Sequence, residues 1–250
     1  MAENKIETGE AAEVASPRKK APKGRRFAII GVAAVLVAAV GIGFWEWHET
    51  PGFCASICHN MDPYLETYLQ DEGVAGVDKY GNAVSDTTAL LSTRHRETNA
   101  TGKPEIRCMG CHHPVVKQQI SEAVQQTTGG YEFPQTEPTL SQLTAWEGTE
   151  GTQFCVNSGC HSYLRGSDGL VDRKKLEEST SWMDFNPHAQ HHENLQVECG
   201  ECHKGHRASV MVCTGCHQHE NVSMPSGWVT KAEGDRILAD AKANAHAALS

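Results

Sequence analysis

Residues 199–217 read CGECHKGHRASVMVCTGCH. Two cysteine pairs with C-x-x-C spacing lie in this one stretch, and a histidine follows each pair directly. That spacing is the attachment signature of c-type haem. The two thiols add across the vinyl groups of one porphyrin, and the next imidazole is then held beside the iron.

Working outward, the ten cysteines fall into five pairs: Cys54/Cys58, Cys108/Cys111, Cys155/Cys160, Cys199/Cys202 and Cys213/Cys216. Histidine follows every one, as His59, His112, His161, His203 and His217. With 14 histidines in 250 residues, chance gives all five with a probability below about one in a million. Three motifs keep the regular spacing (CMGCH, CGECH, CTGCH), while CASICH carries one extra residue and CVNSGCH two. Zinc ribbons also use C-x-x-C pairs, but two by two and with no need of a histidine after each. Disulfides suit an exported chain but do not explain the histidines. The pattern predicts five covalently attached haem c groups.

The rest of the composition agrees. Hydrophobic content is 39% and aromatic content 6%, thin for an ordinary large core. Five macrocycles over about 200 exported residues would themselves form most of that core. The expected fold is mostly α and irregular: a single N-terminal transmembrane helix plus a compact multihaem cytochrome c domain whose haems form the core. Helices are expected at 62–70, 114–127 and 229–249, with no convincing run of alternating strands.

Charge and hydropathy divide the chain. Residues 1–26 hold seven Lys/Arg against four Glu, a net +3 that leaves −12 on the remainder of a chain whose total is −9. An acidic body argues against nucleic acid as a partner. Residues 27–45, FAIIGVAAVLVAAVGIGFW, carry no charge and are about long enough to cross a bilayer. The basic run PRKKAPKGRR precedes them, which keeps residues 1–26 cytoplasmic and sends 46–250 outside. A cleaved secretory signal is the alternative, although its apolar core is usually shorter and ends in small residues. The expected location is therefore the cytoplasmic membrane, single-pass, with the haem domain on the periplasmic or cell-surface side. Within it, 46–130 would carry the first two haems and 150–228 the last three.

Nine histidines lie outside the motifs: His48, His95, His113, His188, His191, His192, His206, His219 and His246. A low-spin haem needs a second axial ligand, and two resemblances indicate which of them serve. Residues 27–114, with the anchor, CHNM at 58–61 and STRHRETNATGKPEIRCMGCHHP at 92–114, resemble the NapC/NrfH family of membrane-anchored multihaem quinol dehydrogenases. That likeness implies His95 as a distal ligand. Residues 153–228, with NPHAQHHENLQVECGECHKGHRASVMVCTGCH at 186–217, are similar to the tetrahaem cytochrome domain of flavocytochrome c fumarate reductases. That likeness implies His188, His191 and His206 as distal ligands, with adjacent His192 able to replace His191. The stretched CVNSGCH departs from this second pattern.

In the first family a methionine takes the proximal position at the first haem. Met61 would fill it here, and His59 stays open because the motif is stretched. Four distal histidines for five haems would leave the first haem, nine residues past Trp45 and hence at the bilayer surface, with one open face toward quinol. Family members draw a lysine and an acidic residue for quinol from the stretch after the second motif. Lys117, Glu122 and Glu132 are the candidates, though the spacing matches loosely and a solvated helix face is the plain alternative. The function implied is oxidation of menaquinol and relay of the electrons to a separate exported terminal reductase, with a flavoprotein as the candidate, in anaerobic respiration. Alternatives are a standalone multihaem reductase and a conduit to extracellular acceptors with no quinol site of its own.

Overall fold

The structure is a computed structural model describing residues 23–57, 61–96, 106–113, 116–130, 137–145, 148–189, 197–217 and 224–248. The chain divides into two units, Met1–Glu46 and Trp47–Ser250. The first is dominated by α1, Lys23–His48, which continues through Glu46 and Trp47 past the expected end at residue 45. Its 26 residues make a rod of about 39 Å, more than the ~30 Å hydrocarbon layer. Apolar side chains such as Phe27, Val37 and Val40 are more than 70% exposed. α1 is thus a single N-terminal helix long and apolar enough to cross a membrane, with its apolar surface left bare.

The second unit is a compact helical body built from short elements. After α2 (Pro51–Ile57) comes α3 (Asp62–Leu69), which starts as expected with Asp62 in its first turn and Pro63 behind it. An acidic first residue and an early proline both suit a helix start. Strands β1 (Gly76–Val77) and β2 (Ala83–Val84) pair antiparallel about a turn. Asp78 organises that turn, its carboxylate accepting from the backbone N–H groups of Tyr80 and Asn82 at 2.8 Å each. Next come α4 (Leu91–Arg96), α5 (Cys108–Cys111) and the longer α6 (Val116–Thr128).

α7 (Leu140–Thr144) opens with a capping box between Thr139 and Gln142 and packs against α8 (Gly151–Cys155). α9 (Arg173–Ser179) is capped by Asp172. α10 (Cys199–Cys202) lies on α7 and α8. The approach is close: a Cβ on Gly200 would come within 2.9 Å of Leu140 Cβ. Strand β3 (Val210–Met211) pairs in parallel with β4 (Val229–Thr230), and α11 (Lys231–Ala248) closes the described chain against both.

Two strips of backbone hold this body together. Residues 89–92 run beside 204–209: Leu91 N–H donates to Lys204 O at 2.9 Å, Ser92 N–H to Gly205 O at 2.9 Å, and Ser209 N–H to Ala89 O at 3.1 Å. Thr93 Oγ1 then donates to Thr67 O at 2.6 Å, tying α4 to α3. The apolar core beneath is small. It centres on Val84, Leu90 and Ala208, with Val229 packed against them, and only eleven apolar residues are buried among those described.

Gly227 makes a third tie. Its φ is +74°, and a Cβ there would sit 2.1 Å from Asp86 O. Gly227→Ala combines left-handed strain with a backbone clash, so stability should fall by about 1–3 kcal/mol. The readout is a lower thermal midpoint of the haem-loaded chain.

Candidate haem-binding site

Each regular motif folds into one turn closed by the same bond. His112 N–H donates to Cys108 O at 2.8 Å, His203 N–H to Cys199 O at 2.9 Å, and His217 N–H to Cys213 O at 2.9 Å. The stretched CVNSGCH reaches the same closure, since His161 N–H donates to Cys155 O at 3.0 Å. Its two extra residues are taken up by a side loop in which Asn157 Nδ2 donates to Phe154 O at 2.8 Å and Asn157 Oδ1 accepts from Gly159 N–H at 2.8 Å. The insertion therefore keeps the backbone bond between the motif histidine and the first cysteine. In the first motif Cys54 lies on α2 and half-buried Met61 precedes α3; Cys58 and His59 lie outside the described residues.

Neighbouring motifs lie near one another in chain order. The thiols of Cys54 and Cys108 share a hydrogen bond, as do those of Cys155 and Cys199. Cys111 lies within electrostatic reach of Cys160, and Cys202 of Cys213. The five sites thus form one contiguous series.

Three motif histidines each face one histidine from elsewhere in the chain. His112 and His206 have ring centres 6.2 Å apart, as do His161 and His95, and His203 and His188. Three of the four distal candidates, on α4, in the CHKGH loop and in the NPH turn, are thereby brought to motif histidines. The fourth, His191, and its neighbour His192 lie outside the described residues.

The three distal candidates are also held in the same tautomer. His206 Nδ1 is 2.7 Å from Thr67 Oγ1, whose own proton goes to Tyr64 O at 2.8 Å. His188 Nδ1 is 3.2 Å from Thr180 Oγ1, whose proton goes to Leu176 O at 2.8 Å. His95 Nδ1 is 2.8 Å from Leu91 O, which can only accept. In each ring Nδ1 carries the proton and Nε2 keeps its lone pair, the arrangement metal-bound histidines adopt. Burial helps: it pushes His206 down to about 3, aided by the charges of His112 and Lys79. Burial likewise lowers His188, and takes His203 to about 4 with help from His188, His161 and His95. Burial thus favours the neutral form of His206, His188 and His203, the form a metal ligand takes.

Thr67 was invisible to sequence reasoning, being 139 residues from its partner. Thr67→Val keeps the volume and removes the acceptor. Loss of such a partner weakens metal ligation ~10–100-fold, so a high-spin fraction should emerge in the absorption spectrum of the isolated chain.

A cationic cluster adjoins His206. Glu137 accepts from Arg207 Nε at 2.7 Å and lies 3.8 Å from Lys79 Nζ and 3.7 Å from Lys204 Nζ. Lys79 N–H donates to His206 O at 2.8 Å, and its ammonium sits over the rings of Tyr64 and Tyr80, 5.2 and 4.9 Å from their centres. Three cations sharing one carboxylate suit the two propionates a haem carries. Among the described residues no three His, Cys, Asp or Glu side chains converge as a zinc site requires. The donors come instead as imidazole pairs, each joining a motif histidine to a histidine outside the motifs, which is what a six-coordinate haem needs.

Two of the three quinol candidates lie on one helix. Lys117 and Glu122 are both exposed on α6, with Glu122 Oε1 accepting from Gln118 Nε2 at 2.9 Å. Five residues apart, they point ~140° away from each other and do not share a face. Glu132 lies outside the described residues. Of the remaining histidines, His48 packs on Phe53 and His113 on Phe154.

No family model matches the chain, and no solved structure matches it. A curated relative does: a cytochrome c-type protein named Cgr1 from Eggerthella lenta is 46% identical over 219 residues, covering 87% of this chain and 93% of that protein. Likeness at that level over nearly the whole length, on a chain that repeats the cysteine–cysteine–histidine motif five times, shows a multihaem electron-transfer protein with covalently bound haem: the chain belongs to the c-type cytochromes.

Proposed function

We propose that this cytochrome is a membrane-anchored pentahaem quinol dehydrogenase. It takes electrons from menaquinol at the outer side of the cytoplasmic membrane and passes them to a separate exported terminal reductase, with a flavoprotein as the candidate partner. The observation that carries the reading is the series of motifs, each within hydrogen-bonding or electrostatic reach of the next in chain order. Its first member lies six residues after the anchor helix ends at His48. Bound haem supplies the one-electron redox chemistry. The chain supplies the tethers (Cys54 and Cys58, Cys108 and Cys111, Cys155 and Cys160, Cys199 and Cys202, Cys213 and Cys216) and the nitrogens that hold the iron.

The likeness to the quinol dehydrogenases assigns Met61, in preference to His59, as the protein ligand of the first site, leaving its other face to quinol. Of the distal candidates this leaves His191 for the site of His217. Quinol oxidation also releases two protons, which need an acceptor; Lys117, Glu122 and Glu132 are assigned to that task. Lys117 and Glu122 do not share a face of α6, so the two do not act as one pair on that helix.

The test is reduction of the cytochrome in membranes by a menaquinol analogue, followed by its absorption. Lys117→Ala, Glu122→Gln and Glu132→Gln are compared with the parent. Loss of a proton acceptor costs ~10²–10⁴-fold, so at least one variant should fall ~100-fold in quinol-driven rate while dithionite still reduces it fully. Full quinol-driven reduction in all three variants, insensitive to a quinol-site inhibitor, would sink the dehydrogenase and leave the conduit.

A further inference from the structure

We infer that His112 with His206, His161 with His95, and His203 with His188 are the axial ligand pairs of the second, third and fourth haem sites, and that the third site is electronically unlike the other two. The inference rests on the haem reading above but not on quinol or any reductase.

Distance carries the pairing. An imidazole nitrogen binds a first-row metal at ~2.0–2.1 Å and lies ~1.1 Å from its ring centre, so two imidazoles trans across one iron have ring centres ~6.2–6.4 Å apart. The three pairs are separated by 6.2 Å each. Aromatic pairs in direct contact have ring centres ~4.5–7 Å apart, so what carries the pairing is the recurrence of one value that matches the iron-bridged span. The gap is too wide for a direct hydrogen bond between the rings. One spacing recurring at three unrelated places, between segments 94, 66 and 15 residues apart, points to one common occupant.

Tautomer carries it further. All three non-motif rings have Nδ1 donating to Thr67, Leu91 or Thr180, which leaves Nε2 as the metal-facing atom. Each pair joins a motif histidine to a histidine outside the motifs, so no motif's own imidazole is diverted from its own site. The CHKGH loop serves two irons: His203 binds the fourth and His206, three residues on, reaches back to the second.

Ring angle makes the sites different. The two planes are 24° apart at His112/His206 and 11° at His203/His188, but 85° at His161/His95. An axial imidazole raises the iron d orbital perpendicular to its plane. Two parallel rings raise the same orbital and split the pair, which gives an ordinary rhombic low-spin signal. Two perpendicular rings raise both orbitals equally. The orbital moment then stays unquenched, and the signal is highly anisotropic with a large maximum g value.

The experiment is electron paramagnetic resonance of the oxidised full chain in detergent, compared with His95→Met, His188→Met and His206→Met. Mass spectrometry confirms that every variant keeps its full haem content. In difference spectra, His95→Met should remove a large-g anisotropic signal and no rhombic one. His188→Met and His206→Met should each remove one rhombic signal and leave the anisotropic one. Where a methionine variant fails to accumulate, the glycine variant at that position supplemented with free imidazole reads the same iron, with the ligand restored but its ring plane no longer fixed. Loss of a rhombic signal in the His95 variant, loss of the anisotropic signal in either other variant, or no spectral change in any of them would overturn the assignment.

Discussion

Cys199→Ser combined with Cys202→Ser should remove the folded domain and not merely one of its cofactors. The core without haem is small: eleven buried apolar residues are spread through the described part of a unit running from Trp47 to Ser250. A chain of that size ordinarily buries some 70% or more of its surface, so macrocycles must supply much of what is missing. The fourth motif is the worst place to lose one. α10 packs on both α7 and α8, and the loop behind it, 203–209, carries His203 and His206 and pairs with 89–92, which leads into His95. The three proposed axial pairs would therefore depend on one loop anchored by one motif. Where the bound group is part of the fold, its binding free energy is folding free energy. The expected result is at least a tenfold loss of protease-resistant domain, with haem content by mass spectrometry falling below four per chain because the second and third sites fail together. A protease-resistant product carrying four haems would show instead that the sites fold independently.

How much of this could be read from the sequence depends on how local the chemistry is. Covalent attachment needs two thiols and an imidazole within a few residues, so the tethers and their histidines declare themselves by spacing. So does α1, whose only requirement is an apolar run. The starts and ends of α3, α6 and α11 fall within two residues of expectation because Pro63, Pro114 and the apolar periods are local signals. The distal pairing is not local. His206 meets His112 only because residues 204–209 pair with 89–92 and Thr93 is bonded to Thr67, contacts with no trace in composition or period. The stretched motif was ambiguous for the same reason: whether CVNSGCH could act as CMGCH does turned on how Asn157 folds the two extra residues aside. The four strands among the described residues are two residues each, too short for alternation to register. The Lys79–Glu137–Lys204–Arg207 cluster draws on three separate segments, and nothing in any of them marks it.

Glu137→Gln should be the most damaging single charge change outside the motifs. The carboxylate is shared by Arg207, Lys204 and Lys79, whose side chains are 3%, 18% and 8% exposed. Water cannot easily take its place. Removing one partner of such a buried set leaves charge uncompensated, at about 3–5 kcal/mol. Glutamine keeps an acceptor for Arg207 Nε, so what is lost is charge and not shape. Glu137→Gln should therefore lower the unfolding free energy of the haem-loaded chain by several kcal/mol, and adding Lys79→Gln should recover part of the loss, as coupled neighbours do. The pH dependence gives a second readout. Burial raises the Glu137 pKa, but the Arg207 hydrogen bond and the charges of Arg207, Lys79 and Lys204 outweigh it and hold the carboxyl below its usual range. A carboxylate depressed in the folded state contributes in full above its unfolded value of ~4.3 and loses that contribution as pH falls through the folded value. The parent should lose stability on acidification below about pH 4.3, and Glu137→Gln should lose less over the same window because its contribution is already absent. Equal stability of parent and variant at pH 7, with parallel acid limbs, would mean that the haem propionates and not Glu137 neutralise the three cations.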